Sequence, residues 1–158
     1  MSWSESMIVI TRQLVNDAGA TSTYSDDRLE ELLATAAILV MMEVDFATTY
    51  TITLSSPYVT PDPNTDMNFI ALVSLKAACL ILMGEWNTAA GKAMSVRDGP
   101  SAIDSTGIAK NKQVVSQTVC KQYTDAVFSY AYGDGSVGQA IVGPYASGSA
   151  SVPESFFS

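Results

Sequence analysis

Between Phe69 and Met83 only Ser74 and Lys76 interrupt an otherwise apolar series, and this stretch constrains the fold more than any other. At about 15 residues the run is too long for an ordinary strand and short of the roughly 20 that a membrane span needs. It predicts a core helix over about Asp66 to Trp86 that other elements must cover on more than one side. Phe69, Val73, Leu80 and Met83 mark one side, while Ile70, Leu72, Ala77 and Ile81 fill others. Thr65 and Asp66 supply the N-terminal stop signal, because a short polar side chain accepts from the free N–H groups of a first turn. Upstream, Pro57, Pro61 and Pro63 make 55–64 an extended, helix-free connection, since proline lacks the N–H and restricts the residue before it.

A helix of this kind needs partners, and the rest of the chain offers three. Ser2 and Glu5 have capping-box spacing, and Met7, Ile10 and Leu14 follow at helical intervals until Asp17-Ala18-Gly19. The dense Met7-Ile8-Val9-Ile10 series fits a strand as well. Ser25-Asp26-Asp27 opens a second helix over about Asp26 to Phe46, with Leu29, Leu32, Leu33, Ala36, Ala37, Val40 and Val44 as its stripe. Ile38, Leu39, Met41 and Met42 make its second half apolar almost all round, so that half requires cover on several sides. Thr48 to Leu54 alternates threonine with Tyr50, Ile52 and Leu54, the period of a short strand. Asp98-Gly99-Pro100 is a turn signal that sets Met94-Ser95-Val96 against Ala102-Ile103, a small hairpin or ordered loop. A last helix is predicted from about Gly107 to Tyr132, with Ile108, Val115, Val119, Tyr123, Val127 and Tyr130 near one face.

Beyond Tyr132 the sequence turns rich in glycine and serine and predicts an extended arm over 133–158, with Val137, Ile141, Val142, Tyr145, Phe156 and Phe157 as separate apolar anchors. The expected architecture is mainly α: a four-helix bundle with a short strand or hairpin element in residues 1–132, followed by that arm. A chain of 158 residues that is 47% hydrophobic has room for one core of this kind.

Composition narrows the function. Sixteen acidic against eight basic side chains give a net charge of -8, which repels nucleic acid. The chain has no histidine, which removes the commonest acid-base and nucleophilic triads. Cys79 and Cys120 stand far apart in apolar surroundings with no histidine to complete a zinc site, and read as two reduced cysteines used as small buried hydrophobes, as suits a reducing cytoplasm. No basic segment follows Met1, so no secretory signal is expected.

The remaining polar clusters have plain structural readings. Asp26, Asp27, Glu30 and Glu31 suit the first turns of a helix better than a paired-carboxylate site. Asp62, Asn64 and Asp66 alternate like the opening of a calcium loop, yet its glycine and closing glutamate are missing. Gly133-Asp134-Gly135 is a turn without the Gly-Lys-Ser/Thr of a phosphate loop. No catalytic residue, cofactor or metal ligand is expected. Arg97 belongs to a group of positive residues, with Lys92, Lys110, Lys112 and Lys121, in the middle of the chain, whereas residues 1–66 hold ten acids against Arg12 and Arg28. Either this is ordinary solvated charge, or a basic end of the subunit meets an acidic partner surface.

Three stretches together resemble the head-to-tail adaptor (connector, or head-completion) family of tailed bacteriophages, in particular versions from phages of cyanobacteria and marine bacteria. The first is Leu14-Val15-Asn16-Asp17 leading into Tyr24-Ser25-Asp26-Asp27-Arg28-Leu29-Glu30-Glu31-Leu32-Leu33. The second is Pro61-Asp62-Pro63 followed by Phe69 to Cys79. The third is Val96-Arg97-Asp98-Gly99-Pro100-Ser101-Ala102-Ile103-Asp104. They span most of 14–135 in the family's order of helix, helix, loop, helix.

The resemblance implies a virion protein made in the host cytoplasm that forms a homo-oligomeric, dodecameric ring beneath the portal protein. Such a ring continues the DNA channel without sequence-specific binding, docks a stopper or tail protein, and involves no membrane. On this reading Arg97, Asp98 and Gly99, together with the arm anchors, would meet the portal or a neighbouring subunit. A different neck or tail-terminator protein is the nearest alternative. A helical module that binds a small apolar ligand is the alternative from another class.

Overall fold

The computed structural model describes residues 3–19, 21–56, 58–98, 101–104 and 106–142, with 95–98, 101–104 and 134–142 described by their backbone. The fold is mainly α, as the periodicity predicts. Four helices, α1 (Trp3–Leu14), α2 (Asp26–Glu43), α3 (Met67–Gly91) and α4 (Thr106–Val142), alternate with two short antiparallel pairs, β1 (Thr51–Ile52) with β2 (Val59–Thr60) and β3 (Ser95–Asp98) with β4 (Ser101–Asp104).

α3 is the central helix and packs against each of the other three. Phe69, Ile70, Leu72, Val73, Ala77 and Ile81 are buried there, joined by Met7 from α1 and by Leu29, Leu33, Ala36, Ala37 and Val40 from α2. α3 continues to Gly91, past the Trp86 expected from its apolar run. Its 25 residues are long and apolar enough to cross a membrane by length and composition, and in this fold over half of its most apolar window is buried by protein.

The helix ends follow from local chemistry. α1 stops where Asn16 adopts a left-handed conformation, φ 58°, which asparagine tolerates; the Asp17 N–H then reaches the Arg12 carbonyl at 2.8 Å and the Asn16 N–H reaches that of Gln13. Ser25 Oγ accepts from the Arg28 N–H, and Asp66 Oδ1 accepts from the Phe69 N–H at 3.0 Å, so these two of the N-caps read from sequence are used, while Ser2, the cap expected for α1, lies outside the described residues. α2 ends at Glu43, earlier than Phe46, because Val44 turns extended and the Phe46 ring packs instead in a cluster with Tyr50, Phe69 and Tyr130.

Further boundaries differ from the sequence reading. The strand expected over Thr48 to Leu54 contracts to Thr51–Ile52, and its partner Val59–Thr60 lies in the segment that the prolines predict only to be extended. A turn closed by the Tyr58 N–H on the Ser55 carbonyl brings the two together, with Tyr58 at φ 58° and a cis Thr60–Pro61 bond beyond it. At the other end, α4 does not finish at Tyr132. Gly133 breaks the helix at φ 66° and ψ 164°, and a helical backbone resumes to Val142, where an extended arm was expected. Glycine permits that left-handed break, and Val137, Ile141 and Val142 lie in the helical stretch after it. Residues 143–158, with Tyr145, Phe156 and Phe157, lie outside the described residues.

Candidate functional site

The turn expected at Asp98-Gly99-Pro100 does join two strands. β3 and β4 pair in the register Ser95↔Asp104, Val96↔Ile103, Arg97↔Ala102 and Asp98↔Ser101, which sets Arg97 and Asp98 at the tip end of a hairpin linking α3 to α4. Gly99 itself lies outside the described residues. The hairpin precedes the first turn of α4, whereas Val137, Ile141 and Val142 belong to its last turns, beyond the break at Gly133.

What the helices do bring together is a groove of about 720 Å³ between the start of α2, the second half of α3 and the start of α4. Leu29, Leu32, Leu80 and Ile81 form its apolar part, Gly84 leaves it open along α3, and Arg28, Lys92 and Lys112 stand around it. Sequence reading missed this groove. Its signals were a glycine inside an apolar helix and cations that fall on three different elements, and neither has meaning until α2, α3 and α4 are placed side by side.

One edge of the groove is fixed by Glu85, which accepts from Tyr24 Oη and from Lys112 Nζ, both at 2.9 Å. Burial, and then the Glu85 carboxylate, push the Tyr24 hydroxyl up to about 12. A second junction of the same composition ties α2, α3 and α4 elsewhere. Glu43 accepts from Lys76 Nζ at 2.8 Å and from Tyr123 Oη at 2.6 Å, and the Lys76 ammonium lies 4.5 Å from the Tyr123 ring centre. Burial alone would raise the Glu43 carboxyl, but its bonds to Lys76 and Tyr123 outweigh that and hold it below its ordinary value; the Tyr123 hydroxyl is raised by burial and by Glu43. Both junctions fix helix positions, and each is fully engaged by protein groups.

Cys79 and Cys120 correct the reading of two separate reduced cysteines. They face each other across the α3–α4 contact, Cα to Cα 4.9 Å, and form a disulfide. Forty-one residues separate them in sequence, so spacing could not reveal the pairing of the helices that carry them. Cys79 is buried, as expected of it, in a small cluster with Ala78, Leu82 and Val119.

Several of the acidic groups weighed as cation sites have local partners. Arg28 pairs with Glu31 on the surface of α2, the Asn64 N–H and side-chain amide donate to Asp62, and Asp66 accepts from the Phe69 N–H and Tyr50 Oη. Among the described residues no three histidine, cysteine or acidic side chains gather as a metal site would require.

Large apolar side chains are also left outside the core on every helix, Val9 on α1, Met67 and Met83 on α3, and others on α2 and α4. On α2 these are Ile38 and Met42, the latter 79% exposed; on α4 they include Val114, Val115, Phe128 and Tyr132, with the last two rings tilted 41° to each other and their centres 4.8 Å apart. The face of α4 that packs inward runs through Ala109, Ser116, Val119 and Tyr123, so Ile108 and Val115, expected on that face, point outward instead. No protein-family model matches this chain, and no curated protein or solved structure is detectably similar to it.

Proposed function

We propose that the chain is a structural subunit of a tailed-bacteriophage neck, a head-to-tail adaptor that forms a ring below the portal and receives a stopper or tail protein. The observation that carries this is the apolar surface the core does not use, Ile38 and Met42 on α2 and Val114, Val115, Phe128 and Tyr132 on α4. A ring repeats a contact between two different surfaces of the same subunit, and these are two candidate surfaces on two different helices. The order of α1, α2, the β1–β2 connection, α3, the hairpin and α4 agrees with the plan that the resemblance implies. A net charge of -8 suits a channel through which DNA slides without adhering.

The test is negative-stain imaging of the full chain mixed with portal-containing heads. A ring of added density below the portal is expected, and Arg97→Glu should weaken it by placing like charge at a contact. A well-behaved monomer that never joins such a particle would sink the proposal.

A second reading has one observation in its favour, since the groove between α2, α3 and α4 has the volume of a small-ligand site. A chain that stays monomeric and melts at a higher temperature with an apolar carboxylate such as a fatty acid would support that module instead.

A further inference from the structure

Gly84 stands in the second half of α3 at an exposed position, where glycine costs a helix roughly 1 kcal/mol relative to alanine. Its φ is not positive, so no left-handed backbone requires glycine there, and a Cβ added to it would meet nothing within 4 Å. The packing of the chain itself gives no reason for the missing side chain. The space it leaves belongs to the groove, which has Leu29, Leu32, Leu80 and Ile81 at its base. Around that base stand Arg28, Lys92 and Lys112, three of the eight cations of a chain with net charge -8. Two acids face them, Glu85, which is engaged by Lys112 and Tyr24, and Glu31, which pairs with Arg28, so among the described residues Lys92 is the cation of the three with no acid set against it.

An apolar base relieved by glycine and ringed by cations fits an extended peptide with bulky apolar side chains next to an acid. The chain holds such a segment beyond the described residues, Val152-Pro153-Glu154-Ser155-Phe156-Phe157, in which Glu154 is the one charged side chain of 143–158. We infer that the groove seats Glu154 to Phe157 of a second copy of this chain, with Phe156 and Phe157 against the apolar base beside Gly84 and Glu154 towards the cations. The inference rests on the ring reading and names one of its contacts.

Reach favours a second copy over the same one. α4 carries the chain away from Lys112 for about 30 residues before Val142, up to about 45 Å of helix. Phe156 follows about 14 residues later, about 50 Å of chain only when drawn out fully. Up to the break at Gly133 the continuous helix alone takes the chain about 30 Å from Lys112, and docking on the same copy has to retrace that length, whereas docking on a neighbour has no such requirement.

The test uses the full chain in three forms: unaltered, Gly84→Trp to fill the groove, and Phe156→Ala with Phe157→Ala to remove the anchors. Sedimentation velocity is run on each form and on an equimolar mixture of the two variants. The unaltered chain should form species larger than a dimer and each variant alone should sediment as a monomer. The mixture should give a one-to-one pair, because one variant keeps its tail and the other its groove. If Gly84→Trp fails to fold by circular dichroism, Lys92→Glu replaces it.

Either variant assembling alone as the unaltered chain does overturns the inference, as does a mixture that stays monomeric, and both results leave the adaptor reading standing. An unaltered chain that is monomeric at every concentration also overturns the inference. Only the further failure to join portal-containing heads overturns the reading beneath it.

Discussion

Arg12 and Asp17 decide how α1 hands the chain to α2. The Arg12 guanidinium donates to Asp17 at 2.9 Å, to the Tyr24 carbonyl at 2.7 Å and to Asp26 at 2.7 Å, while Asp17 also accepts from the Thr23 and Tyr24 N–H groups. The Thr23 N–H bond above all, outweighing partial burial, holds the Asp17 carboxyl below its ordinary value. Beside this well-satisfied hub, Thr11 Oγ1 and Ser74 Oγ are buried without a hydrogen-bond partner. An unpaired buried hydroxyl costs free energy that a methyl of the same shape does not. Thr11→Val should therefore stabilise the chain by about 1 kcal/mol, read from the urea midpoint; a loss of stability would mean that the hydroxyl has a partner. The pH limits also belong to single residues. Glu43 titrates below its ordinary 4.5 when folded, so the stability it contributes is present above about pH 4.5 and is lost as pH falls through its folded value. Tyr24 is raised from 10.0 to about 12, so its contribution is present below pH 10 and is lost as pH rises towards 12. Thermal melts across pH should fall at both ends, with Glu43→Gln reducing the acid slope that it shares with Asp17 and Tyr24→Phe reducing the alkaline slope that it shares with Tyr123. Caps such as Ser25 and Asp66 were legible because they act within four residues; Glu43 and Tyr123 were not, because their meeting depends on how α2 and α4 are placed.

Among the elements, the α3–α4 pair has the largest share of the architecture and its one covalent tie. Closing a 41-residue loop restricts the unfolded chain and is worth about 4 kcal/mol on the loop-entropy estimate. Reduction, or Cys79→Ser, should lower the guanidinium midpoint accordingly, whereas an unchanged midpoint would show that the tie adds no stability. The hairpin between these helices was readable from Asp98-Gly99-Pro100 because turn chemistry is local, and Val96 opposite Ile103 is the register that turn imposes. α4 was readable only in part. Its inner face runs through small and polar residues, Ala109 and Ser116, which an apolar stripe does not mark, and its course beyond Gly133 is helical despite glycine-rich sequence. On β3, Arg97→Glu should leave the melting free energy within about 0.5 kcal/mol, as surface changes usually do, while lowering the fraction of chain bound to portal-containing heads. A variant that unfolds instead would make Arg97 a structural residue of the hairpin.

For the whole molecule, the division of labour is between a core built by α1, α2 and α3 against α4 and the sequence beyond Val142. Removing residues 143–158 should leave the thermal midpoint of the chain unchanged and abolish its self-assembly; a midpoint several degrees lower would mean that those residues belong to the core. The bundle itself was legible because one helix, apolar on all sides, has to sit in the middle of any fold that this chain adopts. Which surfaces remain for partners was not, because exposure of Met42 or Val114 is known only once every core position is filled. The Cys79–Cys120 bond has a further consequence in terms of covalent connectivity. It closes a ring of chain that contains the end of α3, the whole hairpin and the start of α4. A protease that cuts within the hairpin opens this ring without dividing the molecule, so the nicked protein migrates as one species until a reductant separates it into an N-terminal and a C-terminal piece.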